Sequence, residues 1–160
     1  MRRHHFYVSL QELSYALSLR SLDQQEKALE ELRNRTGTLL AATSLVASFL
    51  GARAIDQAGV GRWGLVPLLS FIVSVVSSVY VLAPKGNIEF ALRGSEVWEH
   101  FVSAGDDLPE AQRTLAYWID QVHIHNQRVV DRLIVFFAGA CFALVIEALF
   151  WALQLGGTLD

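Results

Sequence analysis

The sequence predicts an all-α integral membrane protein with three transmembrane helices and a cytoplasmic helical head. Three observations carry that expectation. The chain is 52% apolar and only 18% charged, and the apolar residues are gathered into three runs instead of being spread evenly. No segment alternates with the period of a strand, whereas helical spacing recurs between the apolar runs. Lysine and arginine are distributed very unequally among the segments that separate the runs.

The last run is the strongest. Leu133 to Leu155 reads LIVFFAGACFALVIEALFWALQL, with Glu147 its single charge. At ~1.5 Å per residue it is long enough to cross a ~30 Å hydrocarbon layer. Nothing between Pro109 and Leu133 obliges a helix to stop, so one long helix is expected over roughly Leu108 to Leu155, capped by Asp107 and with Pro109 in its first turn.

From the start of the chain, MRRHHFYVSLQELSY has a basic pair but no apolar core or small-residue cleavage site. It does not read as a secretory signal, and the first span is expected to act as an uncleaved anchor. Phe6, Leu10, Leu13, Leu17 and Leu19 suit a short amphipathic helix. Ser21 with Gln24 three residues on resembles a capping box, so a second helix is expected to start there. The first span, Thr36 to Ala52, is short but uncharged, and Arg53 can reach the interface. AGVGRWG reads as a glycine-rich turn. The second span, Trp63 to Ala83, carries no charge; Trp63 and Tyr80 lie near its ends and Pro67 in its first turn. Pro84-Lys85-Gly86-Asn87 stops it, and Ile88 to Ala104 is expected to be a water-exposed helix. On the last helix, Leu115, Trp118, Ile119, Val122 and Val129 form a stripe expected to pack on the N-terminal helices.

Residues 1–35 hold six Lys and Arg, residues 85–132 hold five, the turn between the first two spans holds two and the C-terminal tail none. The positive-inside rule then puts the N-terminus in the cytoplasm and Asp160 outside, as in a multi-pass protein of the cell inner membrane. The expected parts are cytoplasmic amphipathic helices (1–35), a two-span hairpin (36–84), a cytoplasmic helical segment (85–132), the third span (133–155) and a short external tail (156–160).

Several function classes lose support. A net charge of −3 argues against nucleic-acid binding by bulk charge, and no direct nucleic-acid partner is expected. The lone Cys141 has no intrachain disulfide partner and reads as a small packing residue. His123 and His125 point to different sides of a helix, so no metal or other cofactor is expected. No Ser-His-Asp set, glycine-rich phosphate loop or carboxylate pair stands out, which leaves enzyme chemistry without local support.

Two constellations remain. Glu147 lies within a span, where a carboxylate is costly and by default faces protein or water. Its helical face includes Gly139 or Ala140, Ala143, Trp151 and Gln154. It reads either as a pore-lining or gating carboxylate or as a hydrogen-bonded packing contact. Small or hydroxylated stripes accompany it: Gly37, Ala41, Ser44, Ser48 and Ala52 on the first span, Ser70, Ser74, Ser77 and Ser78 on the second, Gly139 and Ala143 on the third. Such stripes suit close helix packing within the chain or self-association. In the cytoplasmic segments Arg93, Arg113 and Arg128, with Trp98, Tyr117 and Trp118, offer guanidinium groups for phosphates and aromatic faces for a base. Together they are the candidate nucleotide-binding set; solvated arginines and packed aromatics are the other reading.

The layout as a whole resembles a group of prokaryotic defence effectors. An N-terminal helix runs into RTGTLLAATSLVASFLGARAI, a span ends VLAPKG, and DDLPEAQRTLAYWIDQVHIHNQRVVDRLIVFFAGACFAL leads a wet helix into a third span. This looks like the Pycsar-type membrane effectors and, more loosely, the SLATT two-span effectors. The resemblance implies a homo-oligomer in the lipid bilayer that responds to a nucleotide signal, such as a cyclic nucleotide, made during phage infection. It acts by membrane disruption or pore formation. The alternative is a non-catalytic membrane scaffold or accessory subunit that recruits a protein partner through the cytoplasmic helices.

Overall fold

The computed structural model describes residues 2–58, 62–86, 99–101 and 107–157, and of residues 2–9, 57, 58 and 62 the backbone alone. Among these residues there is helix and no strand. Helix α1 runs from Arg2 to Val46 and continues through one π-helical turn, Ala47–Gly51, into α2, Ala52–Ala58. A 3-10 turn at Arg62–Gly64 leads into α3, Leu65–Leu82, and α4 spans Leu108–Leu155. Three of these helical stretches are long and apolar enough to cross a membrane, which is the composition of a multi-pass membrane protein.

The helix ends follow local chemistry. Asp107 Oδ1 accepts the Glu110 backbone N–H at 3.1 Å and so caps α4, with Pro109 in the first turn, where its missing N–H is harmless. Ala83 turns to ψ 137° ahead of Pro84, whose ring disfavours a helical predecessor, and α3 stops there. At the end of α4, Gly157 adopts φ 68°, a conformation that glycine takes without penalty.

At the N-terminus the structure departs from the sequence reading. No helix break occurs at Ser21: α1 is continuous, and the Ser21 hydroxyl reaches sideways to His123 Nδ1 at 3.1 Å instead of capping. No glycine or proline interrupts residues 2–36, so nothing enforces a break. The wet helix expected over Ile88 to Ala104 lies outside the described residues except for positions 99–101, which are helical.

The chain divides into two compact units, residues 1–29 with 85–130, and residues 30–84 with 131–160. In the first, α1 and α4 run parallel, because the bonded pairs Ser18–Asp120, Ser21–His123 and Gln25–Gln127 are each 102 residues apart. Leu22, Leu29, Ala116, Ile119 and Val130 are its buried apolar residues. Ile119 holds its expected core position, but Trp118 does not: it is 44% exposed, since the face that meets α1 is centred on Ile119, His123 and Asn126.

The second unit packs α1, α3 and α4. Thr43 Oγ1 and Ser74 Oγ lie 3.1 Å apart, and Ser74 Oγ donates to the Ala140 carbonyl at 3.2 Å. Tyr80 packs against Phe136 with ring centroids 4.3 Å apart and the rings tilted by 41°; with Ser74 at Ala140, this pair makes α3 antiparallel to α4. The interior includes Thr36, Thr43, Ser74, Ser78, Ala140 and Ala143 beside the larger Val81, Leu133 and Trp151, while Leu45, Phe49, Leu69, Val76, Val135, Phe142 and Val145 face outward. Buried hydroxyls beside many outward-facing large apolar side chains depart from the pattern of a water-soluble core. Small and hydroxylated residues between helices are the contacts expected of helices in an apolar medium.

Candidate functional site

Glu147 sits in the interior of the second unit with 0% of its surface exposed. Both carboxylate oxygens lack a hydrogen-bond partner. Its place follows from helix register. Ser74 fixes Thr43 and Ala140 at one level. Seven residues farther along each helix, ~10 Å by the rise, α4 presents Glu147, α1 has reached its π-turn, and the antiparallel α3 presents Pro67.

That level is poor in donors. Pro67 is fully buried and has no N–H. Gly51 has no side chain, and a Cβ built on it would stand 3.3 Å from Cε2 and Cζ2 of Trp151. Glycine is therefore what lets the π-turn approach the indole. Trp151 follows Glu147 by one helical turn, so the two side chains are neighbours on one face, and Trp151 Nε1 is also without a hydrogen-bond partner. A buried acceptor and a buried donor thus lie side by side, both unused. Each such group is costly, of order 1–3 kcal/mol, and more for a charged one. π-turns within α-helices occur frequently at functional sites, and this one approaches Trp151, one turn from the single acidic residue of the apolar run 133–155.

The serines divide by position. Ser74 bridges three helices, Ser77 is buried, Ser78 is buried with Oγ unpartnered, and Ser70 is half-buried. The stripe Gly37, Ala41, Ser44, Ser48 and Ala52 faces away from the chain's own α3 and α4; Ser44 and Ser48 bond back to the carbonyls of Leu40 and Ser44. On α4, Ala143 is buried and Gly139 opens onto empty space.

In the other unit, Arg113 is exposed and pairs with Glu110 at 3.6 Å. Tyr117, one turn on, is 66% exposed, and Arg128 is exposed as well. These three share a face of α4, whereas Trp118 lies about 100° round the helix from Tyr117. Fifteen residues separate the two arginines, ~22 Å along the axis, a span longer than a mononucleotide. Arg113 with Tyr117 makes one candidate contact, and Arg128 belongs to another. Arg93 and Trp98 lie outside the described residues.

Two features went unread in the sequence. One is the polar seam of α1 and α4: Ser18 donates to Asp120 at 2.9 Å, and Gln25 Nε2 donates to the His123 carbonyl at 3.3 Å and to Gln127 Oε1 at 3.2 Å. Its signal was available, since Ser18, Ser21 and Gln25 recur at helical spacing. The other is the π-turn at Ala47–Gly51, for which the only pointer was a glycine inside an apolar run. Among the described residues no group of three His, Cys, Asp or Glu is placed to hold a metal ion.

Fold and site together define a class: an all-helical chain with three helices able to span a membrane and a carboxylate buried among them. Comparison with protein-family models, curated proteins and solved structures finds no match.

Proposed function

We propose that the chain is a membrane effector of an anti-phage signalling system, a homo-oligomer of the inner membrane whose cytoplasmic helices receive a signal such as a cyclic nucleotide. The spans answer by disrupting the bilayer or opening a path for ions. The observation that carries this reading is Glu147, a buried carboxylate whose two oxygens have no partner among the spans. A passive anchor has no use for such a group, because leucine there is favoured by about 2.5–3.5 kcal/mol on the insertion scale. A bundle that opens to water gives the charge its hydration, so Glu147 biases the spans toward the open form.

The head supports a switch. Its α1–α4 seam is made by side-chain hydrogen bonds of Ser18, Ser21 and Gln25, each worth about 0.5–1.5 kcal/mol net. A ligand moves a two-state element by its differential affinity for the two states, and a seam of this strength is within reach of one. Arg113 and Tyr117 are the contact for a phosphate and a base. The test is a vesicle assay: purified protein in dye-loaded liposomes, titrated with cyclic mononucleotides. Release with one nucleotide and not the others supports the reading; sealed vesicles under all of them refute gating by this ligand class. The scaffold reading draws on the exposed Leu13, Leu17, Tyr117 and Ile124 of the head; sealed vesicles together with a protein bound to that face would establish it.

A further inference from the structure

We propose that Glu147 is a proton-binding site, with Trp151 as the group that answers the proton. The inference does not depend on pore formation, only on the interior of the span unit.

The surroundings select the ligand. A metal cation needs several oxygen ligands, and this site has one carboxylate. Of the residues buried at its level, Gly51 and Ala54 come from the N-terminal helices, Pro67 from α3, and Ala143, Trp151 and Gln154 from α4. None of them titrates, and among the described side chains of the α2 segment next to Gly51 the charged Arg53 and Asp56 are exposed. The nearest unpartnered polar atom, Trp151 Nε1, carries a hydrogen and opposes a cation. A proton requires only the carboxylate itself. Bound, it neutralises the charge and leaves a carboxylic acid among apolar neighbours. Released to water, it leaves a carboxylate that accepts the indole N–H of Trp151, adjacent on the next turn. In the structure the donor and the acceptor sit on successive turns without a hydrogen bond between them; the ionised carboxylate is the stronger acceptor of the two protonation states. The step conserves atoms: one O–H bond breaks, the proton passes to a water molecule, and one N–H···O bond forms.

The exchange has a mechanical consequence. When Trp151 turns toward Glu147, its ring leaves the place it holds against Gly51, 3.3 Å from where a Cβ would stand. Proton release at Glu147 therefore loosens the seat of the α1 π-turn on α4.

Infrared difference spectroscopy of the full-length protein in liposomes, between acidic and alkaline buffer, reads the site directly. The expected result is a carboxylic-acid C=O band that disappears at alkaline pH, shifts in heavy water and is absent from Glu147→Gln. Glu147→Asp keeps the band at a shifted position and serves if the Gln variant does not fold. Trp151→Phe should move the titration midpoint, because the carboxylate loses its neighbouring donor. An identical band in wild type and Glu147→Gln overturns the assignment. A band that vanishes on adding sodium or potassium at fixed pH makes the site a cation site and overturns it as well. An unmoved midpoint in Trp151→Phe removes Trp151 from the proposal. Because no flux is measured, a sealed membrane leaves this test intact, and its failure leaves gating by the head untouched.

Discussion

Enlarging Gly51 tests whether the π-turn of α1 rests on Trp151, on which the geometry around Glu147 depends. A Cβ at this position meets Cε2 and Cζ2 of the indole at 3.3 Å and Nε1 at 3.6 Å, where carbon pairs are best at about 3.5–4.0 Å. Gly51→Ala therefore asks the ring to yield by a few tenths of an ångström. The strain of that contact is set against about 1 kcal/mol gained from replacing glycine in a helix, and the net effect should be small. Gly51→Leu forces three more carbons into the same place, and overpacking of this kind costs about 1–3 kcal/mol. For a chain of this length each kcal/mol lowers Tm by ~2–4 °C, so Gly51→Leu should melt several degrees below Gly51→Ala. Trp151→Ala should cost about 3–5 kcal/mol by itself. The double variant Gly51→Leu/Trp151→Ala should recover part of that loss, with a coupling of about 0.5–3 kcal/mol. Thermal unfolding in detergent, followed by circular dichroism, measures all four proteins. Equal melting of Gly51→Leu and wild type, or strict additivity in the double variant, would refute the contact.

Other expectations follow from the same geometry. Ser74→Ala removes the bridge among Thr43, Ser74 and Ala140 while Thr43 keeps its bond to the Leu39 carbonyl; it should cost about 1 kcal/mol in the same melting assay. Gln25→Ala deletes both bonds to α4 and should destabilise by about 1–3 kcal/mol, visible as faster amide exchange in residues 120–130. Arg113→Ala should weaken nucleotide binding measured by calorimetry with membrane insertion unchanged, and because Arg128 lies ~22 Å away, Arg128→Ala in the same chain should act independently. For topology, single cysteines in a Cys141→Ala background should label from the cytoplasm at position 100 and from outside at position 160; labelling of both from one side would remove the third crossing.

How far the sequence could be read depended on the kind of signal. The limits of α4 were legible because Asp107 and Pro109 act locally at its start and the apolar run ends at Leu155. Ser74 as a cross-helix donor was legible in kind, since a hydroxyl in an apolar helix must bond to something. Ser21 misled because Ser-x-x-Gln is a capping signature only if the helix is interrupted there, and the competing partner, His123, lies 102 residues away. Trp118 was assigned to a packed stripe because hydropathy alone does not centre a helical face; the hydrogen-bonding residues Asp120, His123 and Gln127 turned that face away from it. Glu147 stood out by its charge, but its isolation did not: that required knowing that Pro67 and Gly51 are buried at its level and that neither carboxylate oxygen finds a partner.

On the proposed function, Glu147 belongs to an ion path that the spans open on signalling. The direct measurement is ion flux and cellular toxicity of Glu147→Gln and Glu147→Leu at matched protein levels, in the presence of the activating signal. Glu147→Gln, which keeps the shape and loses the charge, should show altered ion selectivity. Glu147→Leu should be stably inserted but inactive, because leucine at this depth favours the closed bundle by about 2.5 kcal/mol or more. Wild-type flux and wild-type toxicity in both variants would contradict that role.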